Sequence, residues 1–100
     1  MKKCKVWQSK QEFFVEHMMG EFTSNPSNTP RFLNEYELTF ETNYSGNVLD
    51  ILNDIYALLN QDDRPTGQIS HSLSMGDLIQ INDEFYAIKS LGFAKVDIVA

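Results

Sequence analysis

The 100-residue chain predicts a single α+β domain, in which a small antiparallel sheet of four to five strands carries two helices packed on one face. Residues 35–43 alternate as in a half-buried strand, and residues 47–60 have helical periodicity. From residue 73 onward, three short apolar runs are separated by turns. Because 42% of the residues are hydrophobic, the chain can build a core of its own, whereas two domains would have only about 50 residues each.

The first predicted strand occupies residues 3–8, where lysines and apolar residues alternate. Lys3 and Lys5 point to one side of such a strand, and Cys4 and Val6 point to the other. Lysines are frequent on exposed edge strands, where their charge opposes pairing with another chain. We therefore interpret residues 3–8 as a solvated edge strand, with contact between the lysines and phosphate groups as the alternative.

A first helix is predicted over residues 10–20. Ser9 and Glu12 have the spacing of a capping box, in which each side chain bonds the amide of the other residue. His17 follows the apolar face of this helix and is expected at its margin. Residues 23–31 contain two prolines among polar residues and predict a loop.

The second strand is predicted over residues 35–43, where polar and apolar side chains alternate. We expect the apolar residues to face the core together and the polar residues to face solvent together. The apolar set is Tyr36, Leu38 and Phe40, and the polar set is Glu37, Thr39 and Glu41. Glu37 and Glu41 are therefore expected on one exposed face of the strand.

The second helix, predicted over residues 47–60, has the clearest periodicity in the sequence. Asn47 and Asp50 suit its N-cap and its first turn. The apolar stripe recurs at intervals of three, four and seven residues and comprises Val48, Ile51, Leu52, Ile55, Leu58 and Leu59. Asp50, Asn53 and Asp54 are expected on the solvent-exposed face.

The last part of the chain predicts a turn and a three-stranded meander. In the turn that ends at Asp77, Gly76 stands where a positive φ is needed, and the Asp77 side chain can bond the backbone of the turn. The strands are expected at Leu78–Ile81, Phe85–Lys89 and Lys95–Val99. The predicted core of the whole domain comprises Val6, Phe14, Tyr36, Leu38, Phe40, Val48, Ile51, Leu52, Ile55, Leu59, Leu78, Ile81, Tyr86, Ile88 and Phe93.

The net charge of −6 is distributed unevenly along the chain. Residues 1–10 carry four lysines and no acid, residues 11–63 carry ten acids and one arginine, and residues 64–100 carry three bases and four acids. Nucleic-acid binding needs a broad basic face, so we expect no direct contact with nucleic acid. No apolar run suits a secretory signal or a membrane span, so the expected location is cytoplasmic and no membrane partner is expected.

No catalytic or metal-binding pattern is present in the sequence. Cys4 is the only cysteine, which excludes an internal disulfide, and with two histidines it makes no zinc pattern. A hydrolytic triad around His71 is disfavoured, because adjacent side chains of an extended segment point to opposite faces. We therefore expect no enzyme activity, no cofactor and no metal, and we expect Cys4 to be a buried apolar residue.

Several short sequence motifs in the second half of the chain occur in a characteristic order. They are Ile55-Tyr56, His71-Ser72-Leu73-Ser74-Met75-Gly76-Asp77-Leu78-Ile79, Tyr86 and Ser90-Leu91-Gly92-Phe93. In this order they resemble the YodL-like family, small proteins and domains of Firmicutes and of their phages and conjugative elements. The resemblance is firm over residues 47–97 and loose over residues 1–46, where the acidic composition departs from the family pattern. It implies an accessory protein of a mobile element, with no agreed enzymatic role.

Two non-enzymatic functions remain open. The first is a phage or mobile-element protein that inhibits a basic, nucleic-acid-binding defence protein of the host, as anti-CRISPR proteins do, with carboxylates in the positions of phosphates. Its candidate residues are Glu37, Glu41, Asp50, Asp54, Asp62 and Asp63. The second is an accessory interaction or regulatory domain that binds a cellular protein or a small ligand through the loop from His71 to Asp77.

Overall fold

The computed structural model describes residues 1–13, 15, 17, 31–60, 73–89 and 92–99. Its strands are β1 (Lys2–Ser9), β2 (Arg31–Phe32), β3 (Tyr36–Tyr44), β4 (Leu78–Ile81), β5 (Glu84–Ile88), β6 (Phe93–Val96) and β7 (Ile98–Val99). Five of them form an antiparallel sheet in the order β3-β1-β4-β5-β6, and β2 pairs with β7 in parallel. Helix α1 spans Val48–Leu59, and single 3-10 turns cover Gln11–Phe13 and Leu33–Glu35.

The predicted α+β arrangement is confirmed for the sheet and for one helix. The meander of the last strands is present, because β4, β5 and β6 are neighbours in the sheet. Within the predicted first helix, Gln11–Phe13 form a 3-10 turn and Val15 and His17 are helical. The other residues of 14–20, and the predicted loop up to residue 30, lie outside the described residues.

Helix α1 begins where its local sequence predicts. The Asn47 side chain accepts a hydrogen bond from the Asp50 amide at 2.9 Å, and its own amide group donates to the Asp50 carboxylate at 2.9 Å. Gly46 precedes this cap with a φ of +124°. Among the described elements, no helix has the length and apolar character that crossing a membrane requires.

The main core lies between α1 and one face of the sheet. Helix α1 contributes its predicted stripe, and Cys4 and Val6 contribute from β1 with no exposed surface. The buried members of this core are Cys4, Val6, Ile51, Leu52, Ile55, Leu59, Leu73, Ile79, Ile81 and Ile88, and Phe40, Tyr44, Val48, Leu58, Tyr86 and Phe93 pack against them. A second, smaller core on the opposite face of the sheet comprises Tyr36, Leu78, Ala87 and Val96, with Trp7, Phe85 and Ile98 against it.

A β-bulge in the pairing of β1 with β3 changes the expected faces of β3. Val6 lies opposite Phe40, but the next residue of β1, Trp7, lies opposite Leu38, so that Thr39 is the extra residue. Since side chains alternate along β1, Phe40 and Leu38 point to opposite faces of the sheet.

The prediction that Tyr36, Leu38 and Phe40 share one core-facing side is therefore wrong. Phe40 packs against the main core, whereas Tyr36 belongs to the second core on the other face. Leu38 is 39% exposed and is not a core residue. Of the other predicted core residues, Phe14 lies outside the described residues, and the rest are buried or pack against a core.

The position of β1 also differs from the expectation. The structure confirms that Lys3 and Lys5 face away from Cys4 and Val6, but β1 pairs with β3 on one side and with β4 on the other. It is an interior strand of the sheet. The interpretation of residues 3–8 as an edge strand protected by lysines is therefore wrong, because both sides of its backbone are occupied.

Truncation of the buried stripe of α1 should destabilise the protein. Leu52 is 3% exposed and Ile55 is fully buried, so L52A or I55A should lower the free energy of unfolding by about 2–5 kcal/mol, measured by urea denaturation. Leu49 is 61% exposed on the same helix, so L49A is the matched control and should change the stability by less than about 1 kcal/mol. Equal losses for L49A and L52A would contradict the assigned orientation of α1.

Candidate functional site

His17 is fully buried and lies at the centre of a chain of polar contacts, and not at the margin of an apolar face as expected. Its Nδ1 atom lies 2.8 Å from the Ser9 hydroxyl, and its Nε2 atom lies 2.7 Å from Oε1 of Glu35. Because the ionised Glu35 carboxylate can only accept, Nε2 donates to it. The Ser9 hydroxyl donates to Nδ1 when the ring is neutral and accepts when the ring is protonated.

Aromatic and backbone contacts hold the imidazole ring of His17 in place. The ring stacks on Tyr36 with centroids 4.5 Å apart and on Phe13 with centroids 5.8 Å apart. Gly76 lies against the backbone of His17, so closely that a Cβ atom on Gly76 would be 2.7 Å from the His17 carbonyl carbon and oxygen. The turn before β4 is therefore packed closely against the backbone of His17.

Asp77 connects the same chain of contacts to the sheet. Its Oδ1 atom accepts from the Ser9 amide at 2.9 Å, and its Oδ2 atom accepts from the Ser74 amide at 3.0 Å. The predicted bond between Asp77 and its own turn is thus confirmed. The predicted capping box is wrong, because the Ser9 amide donates to Asp77 and the Ser9 hydroxyl contacts His17, and neither bonds Glu12.

The serine, imidazole and carboxylate are in the order that hydrolytic enzymes use, but their burial favours a structural role. Ser9 is 6% exposed, His17 is 0% exposed, and the hydroxyl lies inside the domain where the backbone of β1 ends. A nucleophile must reach a substrate, and this hydroxyl is covered. We interpret Ser9, His17 and Glu35 as a structural link between β1, the segment that follows it and the start of β3.

The carboxylates predicted on one face of β3 lie on opposite faces of the sheet. Glu37 lies opposite Gln8 and is on the side of α1, whereas Glu41 lies opposite Lys5 and is on the other side. The cause is the extra residue Thr39 between them. Both carboxylates are exposed, but only Glu41 has a lysine as its cross-strand neighbour.

The two aspartates of α1 lie on the same side of the sheet as Glu37. Asp50 and Asp54 are exposed and one helical turn apart. They occupy the flank of α1 away from Tyr56, whose ring meets Phe93 of β6 edge to face at 6.1 Å. Tyr56 thus marks the flank of α1 that faces β6, and the two aspartates lie on the other flank.

Of the other predicted site residues, one is buried and three lie outside the described residues. Asp77 has no exposed surface, so its carboxylate serves the turn and β1 and is not presented to a partner in this structure. Asp62, Asp63 and His71 lie outside the described residues. In the described part of the chain, no three His, Cys, Asp or Glu side chains are grouped as metal ligands.

A small pocket lies between α1 and the β5–β6 end of the sheet. It has a volume of about 150 Å³ and is lined by Asn53, Tyr56, Ile88, Lys89, Gly92 and Phe93. Tyr56 and Gly92-Phe93 belong to two separate motifs of the sequence pattern described above. The fold brings these two motifs together at the pocket. The pocket combines aromatic walls with polar side chains, but it is smaller than the roughly 300–1,000 Å³ of sites for drug-sized ligands, so it has room for little more than one side chain of a partner.

Two groups on β5 and β6 share one exposed carboxylate. The Tyr86 hydroxyl donates to Oε2 of Glu84 at 2.8 Å, and the Lys95 ammonium lies 3.3 Å from the same oxygen. The bond from Tyr86 and the contact with Lys95 lower the pKa of Glu84. Burial, and then the neighbouring carboxylate, raise the pKa of Tyr86. The contact between Glu84 and Lys95 crosses from β5 to β6.

Comparison with known proteins identifies one family. The model of the YodL-like domain matches residues 3–98. The match therefore includes the first half of the chain, where the sequence pattern alone gave only a loose resemblance. No curated protein and no solved structure matches the chain significantly.

Substitution of Gly76 should test the contact between the turn and His17. Gly76 and Gly92 both have a positive φ, +91° and +83°, but a Cβ atom meets the His17 backbone only at Gly76 and has nothing within 4 Å at Gly92. G92A should cost about 1–2 kcal/mol from backbone strain alone. G76A should cost roughly 1–3 kcal/mol more, because the neighbouring backbone has to move. Equal losses in urea denaturation would contradict the close approach.

The thiol of Cys4 should be unreactive in the folded protein. Cys4 has no exposed surface, and desolvation raises the pKa of its thiol. The reactive thiolate is therefore rare near neutral pH. A thiol reagent such as DTNB should leave native protein unmodified over minutes at pH 8 and should modify one thiol per chain at once in 6 M guanidinium chloride. Rapid modification of native protein would contradict the burial of β1.

Proposed function

The chain belongs to the YodL-like domain family, and from this premise and the charge of its surface we propose that it is a non-enzymatic binding protein of a phage or mobile genetic element. Its partner is a basic, nucleic-acid-binding defence protein of the host, which it inhibits as anti-CRISPR proteins do. The binding surface is the acidic side formed by Glu37, Asp50 and Asp54.

The arrangement of these three carboxylates is the observation that supports the proposal. All three side chains are exposed and lie on the side of the sheet that carries α1. None of the three forms an ion pair with a lysine or arginine among the described residues. They are therefore open to the cations of a basic partner, and Glu41, which the sequence places with them, is excluded because it faces the other side beside Lys5.

The net charge of the whole chain also favours a basic partner. At a net charge of −6, the field of the protein attracts basic surfaces and repels phosphate. Electrostatic attraction of this kind increases the association rate and weakens with salt, since exposed charges are screened over about 8 Å at physiological ionic strength. The protein competes with nucleic acid for its partner and does not bind nucleic acid itself.

Neutralising the three carboxylates should abolish the inhibition. The variant E37Q/D50N/D54N raises the net charge from −6 to −3 and keeps the shape of each side chain. The assay is a gel shift in which the chain competes with labelled DNA for a panel of purified host defence nucleases. We expect the wild-type chain to release DNA from one of them, less effectively as the salt concentration rises, and the variant to be at least about tenfold weaker.

A matched control separates this surface from net charge. The variant E12Q/E41Q/D97N also removes three exposed carboxylates and also has a net charge of −3, but it leaves the helix-side surface intact. Because Glu37, Asp50 and Asp54 are unchanged in it, this variant should inhibit like the wild-type chain. Equal weakening by both variants, inhibition that is indifferent to salt, or a DNA shift by the chain alone would contradict the proposal.

The second candidate is an accessory or regulatory domain that binds a cellular protein or a small ligand. Because the Asp77 carboxylate is buried, the loop from His71 to Asp77 would act through residues other than Asp77. The pocket between Tyr56 and Phe93 offers this candidate a binding site that is separate from the loop. It predicts that Y56A abolishes partner binding whereas E37Q/D50N/D54N leaves it unchanged, the opposite of the result expected for the inhibitor.

A further inference from the structure

Lys3 and Lys5 lie on the face of the sheet opposite α1, and the usual reason for lysines on a strand does not apply to them. They belong to β1, which is paired on both sides, so they do not protect an edge. Within the described part of the chain, neither ammonium group forms a hydrogen bond or an ion pair. They are two neighbouring cations in an acidic protein, and Glu41 is the cross-strand neighbour of one of them, Lys5.

A network of hydrogen bonds fixes the surface around these lysines. The Trp7 indole donates to the Gln80 side chain at 2.9 Å, and the Gln80 amide group donates to the Asn82 carbonyl at 2.8 Å. Asn82 has a φ of +55°, and its side chain and its amide bond the backbone of Lys3 at 3.2 and 2.8 Å. These bonds link β1 to β4 and to the turn that follows β4, beside the two lysines.

Together these residues form a groove that contains both signs of charge. Lys3, Lys5, Gln80, Asn82 and Asp83 line it. Glu41 flanks it as the cross-strand neighbour of Lys5. The groove thus offers two ammonium groups and side-chain amides as donors, and the carboxylates of Asp83 and Glu41 as acceptors.

The spacing and the mixed charge favour a polypeptide as the occupant. Lys3 and Lys5 are two residues apart on one strand, about 6.6 Å at ~3.3 Å per residue, which is also the spacing of alternate side chains in any extended peptide. Two acidic side chains of such a peptide match the lysines, and its backbone N–H groups can donate to Asp83 and Glu41. A nucleic-acid strand has no hydrogen-bond donors in its phosphate backbone, so its backbone cannot bond these two carboxylates.

We propose that this groove, defined by Lys3, Lys5, Gln80, Asn82 and Asp83, binds an extended acidic peptide segment of a partner protein. The site lies on the opposite side of the sheet from Glu37, Asp50 and Asp54, so it is independent of the proposed inhibition. The protein thereby has two binding faces. One binds the basic surface of a partner, and the other binds an acidic peptide segment.

Fluorescence anisotropy with a defined probe tests the groove. The probe is a labelled 12-residue peptide of alternating threonine and glutamate, and the comparison peptide has glutamine in place of glutamate. We expect the full chain to bind the glutamate peptide and to bind the glutamine peptide at least about tenfold more weakly. The variant K3Q/K5Q should bind the glutamate peptide about tenfold more weakly than the wild-type chain, because both charge contacts are lost.

The control variant is K10Q/K95Q, which removes two exposed lysines outside the groove and has the same net charge of −8 as K3Q/K5Q. It should bind the glutamate peptide within twofold of the wild-type affinity. The proposal is overturned if the wild-type chain does not bind the glutamate peptide, if both variants lose affinity equally, or if a labelled 12-nucleotide oligothymidylate binds more tightly through the same lysines. Circular dichroism and thermal melting establish that both variants are folded.

Discussion

The buried carboxylate of Asp77 is the contact on which the rest of the fold depends. A buried carboxyl group needs hydrogen bonds to compensate for its lost hydration, and two backbone amides donate to it here, from Ser9 and from Ser74. The main chain of Asp77 is also fixed, since its carbonyl accepts from Ile88 at 3.0 Å. One residue thus joins the end of β1, the turn before β4 and the end of β5.

This contact extends into a polar path through the interior. From Asp77 it continues through Ser9 to His17 and on to Glu35, and the bonded residues are separated by 68, 8 and 18 positions in the sequence. Directional bonds of this kind specify one arrangement of the segments, whereas an apolar core alone tolerates several. The path therefore ties the residue that precedes β3 to the end of β1.

The elements that the sequence predicts well are those determined locally. The apolar stripe of α1 and its Asn47 cap depend on residues within one or two turns, and both are as expected. The faces of β3 depend on its register with β1, which is more than 25 residues away, and alternation alone gives no sign of the extra Thr39. The interior position of β1 and the partners of His17 are likewise set by long-range pairing, so the lysine face and the buried polar path were not predictable from local pattern.

The bulge at Thr39 has a consequence for the behaviour of the protein at high concentration. In the described sheet, β3 is an outermost strand of nine residues, the kind of backbone on which further chains can add and grow into aggregates. The extra residue interrupts the regular spacing of its outward N–H and C=O groups. It also directs Glu37 to one face and Glu41 to the other, so that a copy pairing along this edge meets a carboxylate on each face. A single inserted residue thereby disfavours the addition of a further strand at this edge.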